Sequence, residues 1–155
     1  MINNDIYWME KAYKIALYAY YKGEFPVGSI LILKNKIISM SYNKTIKNND
    51  PTAHSEIIVL RNSGKIFKNN HLLNTTLYVT LEPCIMCTGA IINSHIKRLV
   101  YGASCNKIGA INFLLNTLGN LGTNYKIKIT SGILFNKCQN ILKIFFKKKR
   151  KFNFY

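Results

Sequence analysis

From Asp5 to Lys22 the apolar side chains recur at steps of three and four: Ile6, Met9, Ala12, Tyr13, Ala16, Leu17 and Tyr20, with Gly23 beyond them. That spacing predicts an amphipathic helix ended by the glycine. Val27–Leu33 is mostly apolar and β-branched, Asn35 lies in a break, and Ile37–Tyr42 follows, which together predict a hairpin. Thr45–Asp50 is polar and reads as a loop. Asp50-Pro51-Thr52 reads as a helix start, because a first-turn proline loses no hydrogen bond. This second helix is expected to run through Ile57, Ile58 and Leu60 to about Asn62, before Gly64. Thr75–Leu81 has the β-branched and aromatic content of a strand, and Pro83 opens a third helix over Cys84–Asn93. Arg98–Tyr101 is a short strand closed by Gly102. Cys105–Thr123, rich in Gly and Asn, predicts a loop with a short helix, Tyr125–Thr130 a fifth strand, and Ile133–Lys149 a final amphipathic helix. After the hairpin, strands and helices alternate, so the expected architecture is a layered α/β domain with a mixed sheet. With no internal repeat and no linker, the chain reads as one domain.

Composition adds little to this and removes some function classes. The chain has 155 residues, 48% of them hydrophobic, which suits a globular domain with a real core. No apolar run approaches the ~18 residues of a membrane span. Met1-Ile2-Asn3-Asn4-Asp5-Ile6 lacks the positive start and apolar core of a secretory signal. The expectation is a soluble cytoplasmic protein without a membrane partner. The formal net charge is +16, as a nucleic-acid binder would have. Yet 19 of the 22 basic residues are lysine in a chain also crowded with Asn and Ile, a bias spread over the whole sequence. The charge alone therefore does not decide the partner. The acids say more: only six exist, and Glu24, Asp50, Glu56 and Glu82 fall in the segments treated below.

Cys84-Ile85-Met86-Cys87 is the one close cysteine pair among four cysteines. A redox pair at a helix start after a strand would have this local form. A structural zinc site would want four protein ligands, such as a second Cys-x-x-Cys or two histidines. Cys105 and Cys138 are isolated, so no second pair exists. In a reducing compartment such a pair is more often metal-binding or catalytic. An open site with three protein ligands, the catalytic arrangement of zinc, remains. Of the three histidines only His54 stands at an expected helix start, whereas His71 falls in a polar loop and His95 in a turn. If the strands before the two helices are neighbours in the sheet, His54, Cys84 and Cys87 can converge at one sheet edge, where ligand sites of such sheets lie. Helix N-termini also favour thiolates. Glu56, two residues after His54, has a use there as a carboxylate that takes a proton from water and returns it to a substrate.

His54-Ser55-Glu56 followed by Pro83-Cys84-Ile85-Met86-Cys87 is similar to the H-x-E…P-C-x-x-C signature of zinc nucleobase deaminases. Further segments narrow the resemblance: Glu24-Phe25-Pro26-Val27-Gly28, Tyr42-Asn43, Asp50-Pro51-Thr52-Ala53, Leu77-Tyr78-Val79-Thr80-Leu81-Glu82 and Lys107-Ile108-Gly109-Ala110. Over about Trp8 to Arg150 the chain resembles the bacterial tRNA-specific adenosine deaminases. The resemblance implies a single CMP/dCMP-type deaminase domain over residues 1–155, with a three-layer α/β/α cytidine deaminase-like fold and a five-stranded mixed sheet. It implies a hydrolase that holds one Zn²⁺ per subunit on His54, Cys84 and Cys87. Such an enzyme converts adenosine to inosine at the wobble position of a tRNA anticodon, as a homodimer. It makes Glu56 the proton carrier and not a ligand. It also implies that Asn43 bonds the extruded nucleotide and that Val27, with the Glu24-Phe25-Pro26 turn, walls the pocket beside Ser55. Glu82 is expected to support the cysteine turn. The basic, aromatic helix end at about 141–155, with Phe145-Phe146-Lys147-Lys148-Lys149-Arg150-Lys151, is comparable to one that touches tRNA in the family.

The chain departs from the family pattern in places. Ser104 and Cys105 stand where an Arg-Asp pair is usual, and Ser55 replaces a common alanine. The first change bears on substrate stringency. The rival expectations are a deaminase of a free base or nucleotide, of guanine or cytosine type, and an inactive zinc-containing RNA-binding subunit.

Overall fold

The computed structural model describes residues 2–104 and 127–151. The expected loop from Cys105 to Thr123, the Lys107–Ala110 segment, Tyr125 and the last four residues lie outside them. The order is α1 (Ile2–Tyr21), β1 (Gly28–Leu33), β2 (Lys36–Tyr42), α2 (Ser55–Phe67), β3 (Thr76–Leu81), α3 (Ile85–Asn93), β4 (Arg98–Ala103), β5 (Lys128–Thr130) and α4 (Phe135–Lys151).

The five strands form one sheet in the order β2-β1-β3-β4-β5. β1 pairs antiparallel with both β2 and β3, while β3–β4 and β4–β5 are parallel, so the sheet is mixed as expected. The β1–β2 connection is a tight turn in which Lys34 and Asn35 both have positive φ, 48° and 59°. Two left-handed residues are what a two-residue hairpin needs to match the twist of its strands.

One face of the sheet is covered by α2 and α3. There Leu31, Val59, Leu60, Leu77, Val79, Ile91 and Leu99 share a core. The other face packs against α1 and α4 through Trp8, Met9, Ala12, Ile30, Tyr78, Val100, Cys138 and Ile141. This is the three-layer α/β/α arrangement. α1 lies very close to the start of β1: a Cβ on Gly28 would stand 2.3 Å from the Ala12 carbonyl oxygen and 2.7 Å from the Ala16 nitrogen. Cys138 closes down on β4 in the same way, its Sγ 2.6 Å from where a Gly102 Cβ would be. Cys138 is thus a core residue, and burial pushes its thiol up to about 12.

Several boundaries differ from those expected. α2 starts at Ser55, not at Asp50. The Asp50 carboxylate accepts from the Thr52 N–H at 2.8 Å and from the Thr52 hydroxyl at 2.7 Å, so the Asp-Pro-Thr stretch closes into a side-chain-held turn. α2 also runs through Gly64 to Phe67 and ends on Lys68 in the left-handed conformation, φ 51°. A glycine inside a helix costs only about 1 kcal/mol, which does not stop α2 at Gly64. β4 includes Gly102, and α4 starts at Phe135 because Leu134, at φ 56°, belongs to the preceding turn. Lastly, the strands before α2 and α3 are not neighbours, since β1 lies between β2 and β3.

Candidate active site

That last correction does not separate the two helix starts. Because β1 runs antiparallel to both neighbours, the end of β2, the beginning of β1 and the end of β3 meet at one edge. Gly28 is opposite Tyr42, and its N–H donates to the Thr80 hydroxyl at 3.1 Å. The segment from Asn43 to His54 passes over the beginning of β1 and delivers α2 beside α3. Its path is fixed by the Lys44 N–H bond to the Ala53 carbonyl, 2.9 Å, and the Asn43 N–H bond to the Val27 carbonyl, 3.2 Å.

His54 and Cys84 hold equivalent positions: each is the residue that caps a helix N-terminus, in extended conformation, with a side chain that makes no capping bond. Both side chains are therefore free to turn toward each other. His54 Nδ1 lies 3.7 Å from Cys84 Sγ and 3.5 Å from Cys87 Sγ. All three donor atoms fall within 4.8 Å of one another. Tetrahedral zinc with Zn–S near 2.3 Å and Zn–N near 2.0 Å would set such S···N edges at about 3.6 Å. The donor set thus fits zinc, with one vertex open.

The electrostatics agree. The Cys87 thiol, which donates a hydrogen bond to the Cys84 sulfur, and the His54 ring together draw the Cys84 thiol down to about 4 against the opposing effect of burial. The same bond to Cys84, reinforced by burial and the neighbouring Glu56, pushes the Cys87 thiol up. His54 is raised by its contact with Cys84, against burial. The one thiolate so formed, at Cys84, stands at a helix N-terminus, which stabilises it and suits a cation.

Glu56, in the first turn of α2, is buried, 4% exposed, and is not one of the three donors. Burial pushes its carboxyl above the ordinary carboxylate value, and the hydrogen bond from Ser55 only partly offsets this. Ser55 is fully buried and organised on both sides. Its N–H donates to Asn43 Oδ1 at 2.8 Å, and its hydroxyl donates to Glu56 Oε2 at 2.9 Å. Its Oγ is also 2.7 Å from that of Ser29 on β1.

The remaining expected residues divide. Asn43 is buried and reaches the site by holding the first residue of α2. Val27 sits in the α2–α3 side of the core, 4% exposed. Glu24 faces the loop: its carboxylate accepts the Lys47 N–H at 2.7 Å and the Ile46 N–H at 3.2 Å, so it shapes the segment that carries Asn43 and His54. The Glu82 N–H bonds to the Ala103 carbonyl at 2.8 Å, extending the β3–β4 pairing just before the cysteine turn. The His71 and His95 rings lie tilted against one another, centroids 4.3 Å apart, and neither joins the donor group. Cys105 lies outside the described residues. Ser29 did not stand out in the sequence, and its only signal is a lone hydroxyl in the otherwise apolar run Gly28–Leu33.

Residues 2–103 match the family of the cytidine and deoxycytidylate deaminase zinc-binding region. The chain belongs to this zinc-binding deaminase family. Within it, the chain is 53% identical over 148 residues to the tRNA-specific adenosine deaminase of Buchnera aphidicola subsp. Schizaphis graminum (strain Sg), covering 96% of this chain and 97% of that one. It is 48% identical over 143 residues to the tRNA-specific adenosine deaminase of Haemophilus influenzae (strain ATCC 51907 / DSM 11121 / KW20 / Rd), covering 92% and 83%. A solved structure from work on A-to-I editing by tRNA:A34 deaminases superposes with a TM-score of 0.81 at 36% identity, over 88% of this chain and 99% of that one. The guanine deaminase of Nitrosomonas europaea, at 21% identity and TM-score 0.75, shares the deaminase fold.

Proposed function

We propose that this deaminase hydrolyses the exocyclic amine of adenosine to give inosine at the wobble position of a tRNA anticodon. The observation that carries a catalytic reading is Glu56, a buried carboxylate set beside three metal-type donors and not one of them. A purely structural zinc site has no use for such a group. The near full-length identity to tRNA-specific adenosine deaminases supports the choice of adenosine in tRNA.

In this reading His54, Cys84 and Cys87 hold zinc. When bound there, the metal supplies the Lewis acidity that makes water a nucleophile near neutral pH. Glu56 takes one proton of the attacking water and gives it to N1 of the purine, then takes the proton of the new C6 hydroxyl and gives it to the exocyclic amine, so that the C6–N bond breaks, the C6 carbonyl forms and ammonia leaves. The buried setting suits this task, because a carboxyl raised from its ordinary value accepts and releases protons closer to neutrality. Asn43 bonds the extruded nucleotide, and Val27 backs the pocket. Ile85 and Met86 on the first turn of α3, between the two cysteines, are 57% and 36% exposed, an apolar edge to the site that a second copy of the chain would cover. Phe146, 47% exposed, and the lysines of α4 are a surface for the RNA backbone and bases, while Phe145 is buried beneath them against Tyr20 and Phe25. A cytoplasmic location follows from a tRNA substrate.

The test is to incubate the zinc-loaded protein with an anticodon stem-loop bearing wobble adenosine and, separately, with adenosine, cytidine and guanine. Inosine at the wobble position alone is expected. Turnover of a free base or nucleoside with none in RNA overturns the proposal. Light scattering checks the dimer, which a monomer mass at micromolar concentration would refute.

A further inference from the structure

Behind Glu56 the protein holds a file of hydroxyls. Ser29 Oγ lies 2.7 Å from Ser55 Oγ, and Ser55 Oγ donates to Glu56 Oε2 at 2.9 Å. Ser29 and Ser55 are 0% exposed and Glu56 is 4%. The direction of the file follows from proton counting. Ser55 Oγ is the donor in its bond to Glu56 Oε2, which uses its single hydroxyl proton. The Ser29 proton must then point at Ser55. Each hydroxyl is satisfied, and the file ends on one named oxygen of the carboxylate.

Both hydroxyls are themselves anchored. Ser29 lies on β1, where it pairs with Ser41 on one side and Val79 on the other, so its backbone is held from two directions. The backbone of Ser55 is held by Asn43 Oδ1. Glu56, by contrast, has a long side chain in a first helical turn, with several torsions of its own. A fixed donor on Oε2 selects among them. We propose that Ser29 and Ser55 form a two-hydroxyl strut that aims the Glu56 carboxylate at the reacting atoms, making both of them positioning residues that act through Glu56 and do not touch the substrate.

The strut replaces the expected substrate contact of Ser55. Its role rests on reading Glu56 as the proton carrier. Ser55→Ala removes the donor to Glu56 and leaves the buried Ser29 hydroxyl without its partner, which costs stability as well as aim. Ser29→Ala keeps the donor to Glu56 and loses the far anchor. Removing both hydroxyls takes away the orphaned Ser29 hydroxyl but still leaves Glu56 Oε2 without its donor, so part of the stability should return while aim does not.

The experiment measures kcat, KM and Tm for the zinc-loaded wild type, Ser29→Ala, Ser55→Ala, the pair variant Ser29→Ala/Ser55→Ala, and Glu56→Ala, on the anticodon stem-loop. For Ser55→Ala, kcat should fall about tenfold, within the range that misplacing a catalytic group costs, with KM changed less than about twofold. The pair variant should regain part of the Tm lost in Ser55→Ala and keep the low kcat. If kcat recovers along with Tm in the pair, the hydroxyls are structural only and the strut is overturned. A rise in KM at unchanged kcat would instead place Ser55 on the substrate, and also overturns it. Wild-type turnover in Glu56→Ala would remove the reading of Glu56 and the strut with it. Loss of turnover in Glu56→Ala beside wild-type kcat in Ser55→Ala overturns the strut alone.

Discussion

Asp5 anchors α1 to the sheet, at the edge of the molecule opposite the site. Its two oxygens receive both terminal nitrogens of Arg98 at 2.7 Å, and Oδ1 also accepts the Tyr78 hydroxyl at 2.8 Å. The side chains are 5% and 17% exposed, so the ion pair is mostly out of water. Replacing Asp5 by Asn keeps the shape and deletes the charge. Arg98 is then left with a neutral acceptor, its bond to the Thr130 hydroxyl at 2.8 Å, and an Nε that is already buried without a partner. Breaking a fully buried pair costs about 3–5 kcal/mol, and the partial exposure of Arg98 lowers this to roughly 2–3 kcal/mol. At 2–4 °C per kcal/mol for a domain of this size, Tm should drop by about 5–10 °C.

The pH dependence has a definite sign. Burial raises the Asp5 carboxyl, but Arg98 and Tyr78 outweigh it, and the value lies below the ordinary 3.8. A depressed carboxyl stabilises the fold above its unfolded value and loses that contribution as pH falls through the folded value. Urea denaturation of wild type and Asp5→Asn should therefore give a constant difference between pH 5 and 8 that closes below the ordinary value. A difference under about 0.5 kcal/mol at pH 7 would refute the magnitude. One that persists unchanged in strong acid would refute the assignment to Asp5.

Gly28→Ala should lower stability by roughly 3 kcal/mol or more, seen as a lower urea midpoint. Its Cβ meets the backbone of α1 and not a flexible side chain, so the helix itself must lift. In metal-free protein, a thiol reagent at pH 7 followed by peptide mapping should label Cys84 and spare Cys138. The first thiol is drawn down to about 4 and half-exposed, the second is pushed up to about 12 and fully buried. Equal labelling of the two in folded protein would contradict this. Lys34→Asn with Asn35→Gly should raise Tm slightly, by about 1 kcal/mol of stability, because both positions already have positive φ. An unchanged or lower Tm would mean that the turn is not strained.

The parts legible in the sequence were those set by local spacing. The α1 stripe, the hairpin and the cysteine helix each follow from residues a few positions apart, and the donors His54, Cys84 and Cys87 followed from residue type and spacing. The start of α2 was misjudged because Asp50-Pro51-Thr52 carries equally good signals for a helix N-terminus and for a side-chain turn. What decides is that the Asp50 carboxylate closes onto Thr52. The sheet order was not legible, since nothing local puts β1 between β2 and β3. Glu24 was placed beside the pocket by the family resemblance alone, and the backbone N–H groups its carboxylate holds lie more than twenty positions away, where no local pattern points. Ser29 was invisible for the same reason: its partner lies 26 positions on.

The central place of β1 has a consequence for how the protein assembles. The hairpin with α2 and the β3-α3-β4 crossover are each contiguous in sequence, and the β1–β3 ladder is the seam that joins them. His54 belongs to the first unit and the two cysteines to the second. An ion held by all three therefore acts as a cross-link over that seam, closing a loop of about thirty residues. By the chain-entropy reasoning used for disulfides, such a loop is worth about 3–4 kcal/mol. The seam must close before the donors meet, so metal capture belongs to the end of folding, and its loss should show first as opening of β1 from β3 in hydrogen exchange.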